Sequence, residues 1–146
     1  MRKHLTPARA ARTAAGVLLA AAPTAYAGFG HEAREGGDPY VETHLFFGTA
    51  RPGGGPAVTD RQFTAFVDQE VTPGFPDGLT VQAGRGQWRD ASGTIEKERS
   101  YELILLYPVD REEESGRRIE EIRHIYRTAF GQEAVGRVDE RAQADF

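Results

Sequence analysis

A small set of side chains in this sequence could bind or transform an anionic or aromatic ligand. The set comprises His44, Arg51, Arg85, Gln87, Trp88 and Arg89. Arginines can hold an anionic group, a tryptophan can stack on a ring, and His44 could serve as a general base. The same residues also fit a structural role, in which Trp88 packs at an edge of the core, the arginines pair with acids, and His44 is half-buried at a subunit interface.

Several common catalytic sites are excluded by the residue types present. The sequence has no cysteine, so disulfides and a lipid anchored through cysteine are excluded. It has no serine in a nucleophile elbow and no pair of histidines at metal-ligand spacing, which disfavours a triad hydrolase and a metal site. The glycine-rich run 51–56 lacks the Gly-Lys-Ser/Thr ending of a phosphate loop and is interpreted as a plain loop. We expect neither a metal nor a cofactor.

The first 27 residues have the layout of a secretory signal peptide. A basic start contains Arg2, Lys3, Arg9 and Arg12, an apolar stretch covers 14–22, and the small residues of 25–27 resemble a cleavage site. An amphipathic helix of the folded domain is the alternative, but the segment has no acid and no apolar stripe. We therefore expect export to the periplasm or medium, a flexible linker over 28–39, and a single domain over 40–146.

The net charge disfavours nucleic acid as a partner. The chain has 18 basic and 22 acidic side chains, and the segment 1–27 contributes basic ones only. After cleavage, 14 basic and 22 acidic side chains remain, a net charge of −8. Phosphate backbones and anionic membranes repel such a chain. No segment beyond the leader is long and apolar enough to span a bilayer.

The order of the predicted elements is strand, helix, strand, strand, helix, strand. Strands are expected at 40–49, 79–90, 94–107 and 134–139, and helices at 59–72 and 110–131. This order is typical of an α+β ferredoxin-like plait (βαββαβ), an antiparallel four-stranded sheet with two helices on one face. The first and third strands carry the strongest apolar runs, as expected of central strands.

One face of such a sheet lies open, and apolar side chains are expected there. Phe46, Ile104 and Leu106 alternate with the residues that would face the helices. A second copy packed face to face, giving a homodimer, would cover them, and a bound apolar ligand is the alternative. In the second strand, Gly84 and Gly86 suggest a bulge, which would decide the face that Trp88 takes.

Four segments resemble an uncharacterised bacterial exported-protein family known only as a domain of unknown function. They are ETHLFFGTARPGGGP (42–56), TPGFPDG (72–78), GQWRDASG (86–93) and FGQEAVGRVD (130–139). The resemblance covers about Tyr40 to the C-terminus and implies export and a single domain. It implies no activity and no catalytic residue.

Two hypotheses about function follow. In the first, an exported, non-catalytic domain binds a small ligand or a protein partner through the open sheet face, with Arg51, Gln87, Trp88 and Arg89 as candidate ligand-binding residues. In the second, a cofactor-independent enzyme of the dimeric plait type acts on a small aromatic or anionic substrate, with His44 as its base.

Overall fold

The computed structural model describes residues 36–89 and 93–146, and these contain a four-stranded sheet and two α-helices. The strands are β1 (Asp38–Gly48), β2 (Leu79–Arg89), β3 (Ile95–Pro108) and β4 (Gly136–Ala144). The helices are α1 (Asp60–Phe66) and α2 (Glu112–Phe130). The strand order is β2-β3-β1-β4 with every pair antiparallel, which confirms the predicted ferredoxin-like α+β fold. The predicted signal peptide, most of the predicted linker and residues 90–92 lie outside the described residues.

Strand β1 lies between β3 and β4, and its alternating side chains distinguish a covered face of the sheet from an open one. Its alternate residues Val41, Thr43, Leu45 and Phe47 are buried beneath the helices. The residues between them are less buried, and Phe46 is 45% exposed. The sequence predicted this division because successive strand side chains point to opposite faces.

Helix α1 begins at a capping box, as its sequence predicts. The side chain of Thr59 accepts a hydrogen bond from the backbone N–H of Gln62, and the Gln62 side chain accepts one from the Thr59 N–H. Phe63 and Phe66 form its buried stripe. The chain then continues through a π-helical turn (Val67–Val71) and a 3₁₀ turn (Thr72–Gly74) that contains Pro73. Pro73 lacks the backbone N–H that a continuing helix needs, and the helical segment ends one residue later at Gly74.

An aromatic cluster joins both helices to β1. The ring of Phe47 lies 4.7 Å from that of Tyr126 on α2, and 5.3 Å and 5.9 Å from those of Phe63 and Phe66 on α1, all near edge-to-face. The Tyr126 hydroxyl donates to the backbone carbonyl of Gly48 at 2.8 Å. The cluster therefore fixes both helices against the end of the central strand.

A buried hydroxyl network fixes β4 beside β1. Thr43 is fully buried and donates to Asp139 on β4 at 2.6 Å, so the Tyr107 hydroxyl is the donor in its 2.8 Å bond to Thr43. Asp139 also accepts from Arg137, which pairs with Glu120 on α2. These bonds satisfy polar groups that burial would otherwise penalise.

The predicted bulge in β2 is wrong. The pairing of β2 with β3 runs without interruption from Leu79–Leu105 to Arg89–Ile95. The glycines serve close packing instead: a Cβ on Gly84 would lie 3.1 Å from Ser100 Oγ, and one on Gly86 would lie 3.2 Å from Glu98 Cγ. The neighbouring strand's side chains occupy that space, which explains glycine here without a bulge.

The last strand is longer than the predicted 134–139. It spans Gly136–Ala144 and pairs along almost all of β1, from Phe46–Gly136 to Asp38–Ala144. The sequence of this strand is largely polar, so its alternation is too weak to predict its full length. The strand extends because the backbone of β1 supplies a hydrogen-bonding partner along the whole segment.

The two adjacent phenylalanines of β1 test the division of the sheet. Phe47→Ala should lower the free energy of unfolding by about 3–5 kcal/mol, because it opens a cavity in the aromatic cluster. Phe46→Ala, one residue away on the open face, is the matched control and should cost about 1 kcal/mol or less. Urea denaturation at dilute concentration measures both, and equal losses would contradict the assignment of faces.

Candidate functional site

A groove opens where β3 continues past the start of β2. Leu79, the first residue of β2, pairs with Leu105, so the last residues of β3 have no β2 neighbour. The segment Gly74–Gly78 forms the opposite wall of the groove, whose volume is about 520 Å³. Its apolar lining consists of Tyr40, Phe75, Pro76, Leu79, Ile104, Leu106, Tyr107, Pro108 and Phe146. Volumes of roughly 300–1,000 Å³ are typical of small-molecule sites.

Local contacts hold the wall segment in place. Phe75 is buried in the core, and its N–H donates to the carbonyls of Val71 and Thr72. Arg118 of α2 packs so closely on Gly74 that a Cβ there would lie 2.8 Å from its Nε, and the same guanidinium donates to the carbonyl of Glu70 at 2.9 Å. The groove is therefore formed by anchored residues.

Polar groups lie at one side of the groove. Asp77 and Arg111 form an ion pair of 3.6 Å and are largely exposed. The pair presents acceptor and donor atoms beside an apolar lining, so a ligand with a flat apolar part and a few polar groups fits its chemistry.

His44 lies on the open face and is held between two carboxylates. Its Nδ1 is 2.7 Å from Glu102 and its Nε2 is 3.3 Å from Glu42. The hydrogen bond with Glu102 chiefly raises the pKa of His44 above its usual value, burial opposes the rise, and Glu42 and Glu140 add to it. A raised pKa favours the imidazolium form, whereas a general base must start as neutral imidazole.

The other sequence candidates are not brought together. Trp88 lies on the open face, because its even position alternates with Leu79 and no bulge intervenes, and it is 55% exposed. Gln87 and Arg89 point to the opposite side of β2. His44 pairs with Ile104 of β3, and Ile104 pairs with Thr80 of β2. Trp88 lies eight residues after Thr80, which places it roughly 26 Å further along the strand and away from His44.

Arg51 lies in the loop after β1. Its carbonyl accepts from Gly54 N–H at 2.9 Å, closing a turn in which Gly54 and Gly55 take positive φ. Within the described residues, its Nε is buried without a hydrogen-bond partner. The loop is separate from the groove, whose lining does not include it.

Sequence reasoning missed two features of the structure. The groove depends on the overhang of β3, which a strand pattern does not reveal. A polar cluster also forms where Arg99 and the Tyr101 hydroxyl both donate to Asp60 at the start of α1. These bonds, first from Tyr101 and then from Arg99, lower the pKa of Asp60. Only the position of Asp60 in the first helical turn was visible in the sequence.

Among residues 36–89 and 93–146, no group of histidine and acidic side chains could hold a metal ion. In the same ranges, each helix is too short or too polar to cross a bilayer.

Comparisons with known proteins identify a family and a fold. A family model described as a protein of unknown function (DUF3574) matches residues 42–146. A phage SAM lyase in complex with S-methyl-5′-thioadenosine has a similar structure, with a TM-score of 0.56 and 21% identity over 78% of this chain and 91% of that chain. The apo state of the phage SAM lyase is also similar, with a TM-score of 0.55 and 21% identity over 77% of this chain and 89% of that chain. No curated protein matches the sequence. The likeness to the lyase shows the fold alone.

The carboxylate contacts of His44 predict a pH-dependent contribution to stability. Because the folded-state pKa is raised, the contribution is fully present below the unfolded pKa of about 6.5 and is lost as pH rises through the folded pKa. The unaltered protein should therefore be more stable than the His44→Gln variant at pH values below about 6.5, and this difference should disappear at alkaline pH. Urea unfolding of both proteins at several pH values measures the difference.

A second measurement assigns the cause. In an NMR titration of the imidazole, Glu102→Gln should lower the pKa of His44 more than Glu140→Gln does. Equal effects of the two substitutions would show that the hydrogen bond is not the main cause.

Proposed function

Since the chain belongs to the family described as a protein of unknown function (DUF3574), we propose a function from its geometry: it is an exported domain that binds a small, largely apolar ligand. The groove between Gly74–Gly78 and the end of β3 is the site. The observation that carries this proposal is a groove of about 520 Å³ lined by aromatic and aliphatic side chains with one ion pair beside it.

The open sheet face contributes to this groove. Tyr40, Ile104 and Leu106 are half-buried residues of that face, and they line one side of the groove. Covering such side chains stabilises a complex by roughly 1.5–3 kcal/mol for each one fully buried. Apolar contact supplies the affinity of this site, and the Asp77–Arg111 pair supplies orientation.

S-Methyl-5′-thioadenosine is a suitable first probe. It combines a flat base, a thioether and hydroxyl groups, which match an apolar groove with polar atoms at one side. The similar phage SAM lyase was solved with this molecule, and this likeness of fold supplies the choice of probe and nothing about the activity of this chain.

The enzyme hypothesis gains little from His44. The residue could act as a base only as neutral imidazole, whereas Glu102 and Glu42 favour its protonated form. It also lies outside the lining of the groove. Binding without turnover is the function that these positions support best.

A substitution in the groove tests the proposal by isothermal titration calorimetry. Leu106→Lys places a charged chain in the groove and should weaken binding of S-methyl-5′-thioadenosine by about tenfold or more, which corresponds to about 1.4 kcal/mol. Val138→Lys makes the same change on the open face outside the groove and should leave the affinity unchanged.

Equal losses in the two variants would place the binding elsewhere. If neither the probe nor a panel of aromatic fragments binds the unaltered protein at millimolar concentration, the groove is not a ligand site.

A further inference from the structure

The charged residues of the strands are divided between the two faces of the sheet. On the open face the strands carry acids, together with His44: Asp38, Glu42, Glu96, Glu98, Glu102 and Glu140. On the other face they carry the strands' arginines and lysine, with Asp139 as the one acid: Arg85, Arg89, Lys97, Arg99, Arg137 and Arg141. Each face of the sheet therefore has its own sign of charge.

A basic hairpin surface results where the helices do not cover β2 and the start of β3. We define it as Arg85, Gln87 and Arg89 of β2 with Ile95 and Lys97 of β3. All are exposed, and Ile95 is 55% exposed. Within the described residues, none of its basic side chains forms an ion pair, whereas the neighbouring Arg99 is paired with Asp60. Its charge is thus available to a partner.

An acidic open face lies on the other side of the sheet. We define it as Glu42, His44, Phe46, Glu102, Val138 and Glu140. Phe46 and Val138 are each 45% exposed, so the charges surround an apolar centre. A trough of about 550 Å³ leads from Phe46 to Trp88 over the small residues Gly84, Gly86 and Ser100. The trough leaves room for side chains of an incoming surface.

We propose that copies of this chain associate head to tail, with the basic hairpin surface of one copy against the acidic open face of the next. Both surfaces combine exposed apolar side chains with charge, and the charges are opposite. Two open faces packed together, the arrangement expected from the sequence, would set Glu42, Glu102 and Glu140 against their own copies, and like charges oppose such contact.

The open face of the sheet is broad enough to receive the smaller hairpin surface. Four strands spaced about 4.8 Å apart and strand segments rising about 3.3 Å per residue give a face of roughly 550 Å² in projection. Because a head-to-tail contact joins two different surfaces, repeated association gives a closed ring or an open filament.

Two charge-reversed variants test the proposal by sedimentation velocity of the full-length protein. Arg85→Glu/Arg89→Glu removes the basic surface, and Glu140→Lys/Val138→Lys removes the acidic face. The unaltered protein should assemble in a concentration-dependent way, and each variant alone should be monomeric. An equimolar mixture of the two should associate again, because the intact acidic face of one variant can pair with the intact basic surface of the other.

Salt and a neutral site supply the controls. Raising NaCl from 0.1 M to 1 M shortens the Debye length from about 10 Å to about 3 Å and should weaken association by about tenfold. Glu113→Lys, on the exposed side of α2, should leave assembly unchanged.

Three results would overturn the proposal. A strict monomer up to millimolar concentration shows that copies do not associate. Normal assembly of the Arg85→Glu/Arg89→Glu variant shows that the hairpin surface is not used, as in a face-to-face dimer. A mixture of the two variants that remains monomeric shows that the two surfaces do not pair.

Discussion

Strand pairing runs in unbroken register across the whole sheet, and this constraint organises the rest of the structure. From Asp38–Ala144 at one end of β1 to Arg89–Ile95 near the tip of the β2–β3 hairpin, each residue lies beside a partner of the same parity. Odd-numbered residues face the helices and even-numbered residues face away. A single inserted residue in any strand would exchange the two faces beyond it, moving apolar side chains into solvent and charges into the core.

The sequence specified the fold well because its signals are local. Alternation in β1, the Thr59 capping box and the apolar stripes of the helices each depend on neighbours in the chain. The face of the sheet on which Trp88 lies was harder to predict, because it depended on whether Gly84 and Gly86 formed a bulge. The glycines alone could not settle this question, because the side chains that crowd them, Ser100 and Glu98, belong to the adjacent strand.

The functional surfaces could be predicted less well, because they arise between elements. The groove exists because β3 continues past Leu105, the partner of the first β2 residue Leu79. This overhang is a property of the register and not of any one segment. Residue type suggested a base at His44, whereas its neighbours Glu102 and Glu42 raise its pKa and so favour its protonated form. The position of a candidate was thus predictable, while its ionisation required the strands on either side of it.

The central place of β1 has a consequence for how the domain forms during synthesis. Both of its partners come much later in the chain, since Tyr40 pairs with Pro108 and with Ala142. Only the β2–β3 hairpin joins strands that are adjacent in the chain, so it can form early. The pairing of β1 requires distant segments and therefore carries the entropic cost of closing long loops. A nascent chain that lacks residues 136–144 therefore holds β1 with an unpaired backbone edge. The last strand to emerge, β4, supplies the backbone partners of that edge and completes the sheet.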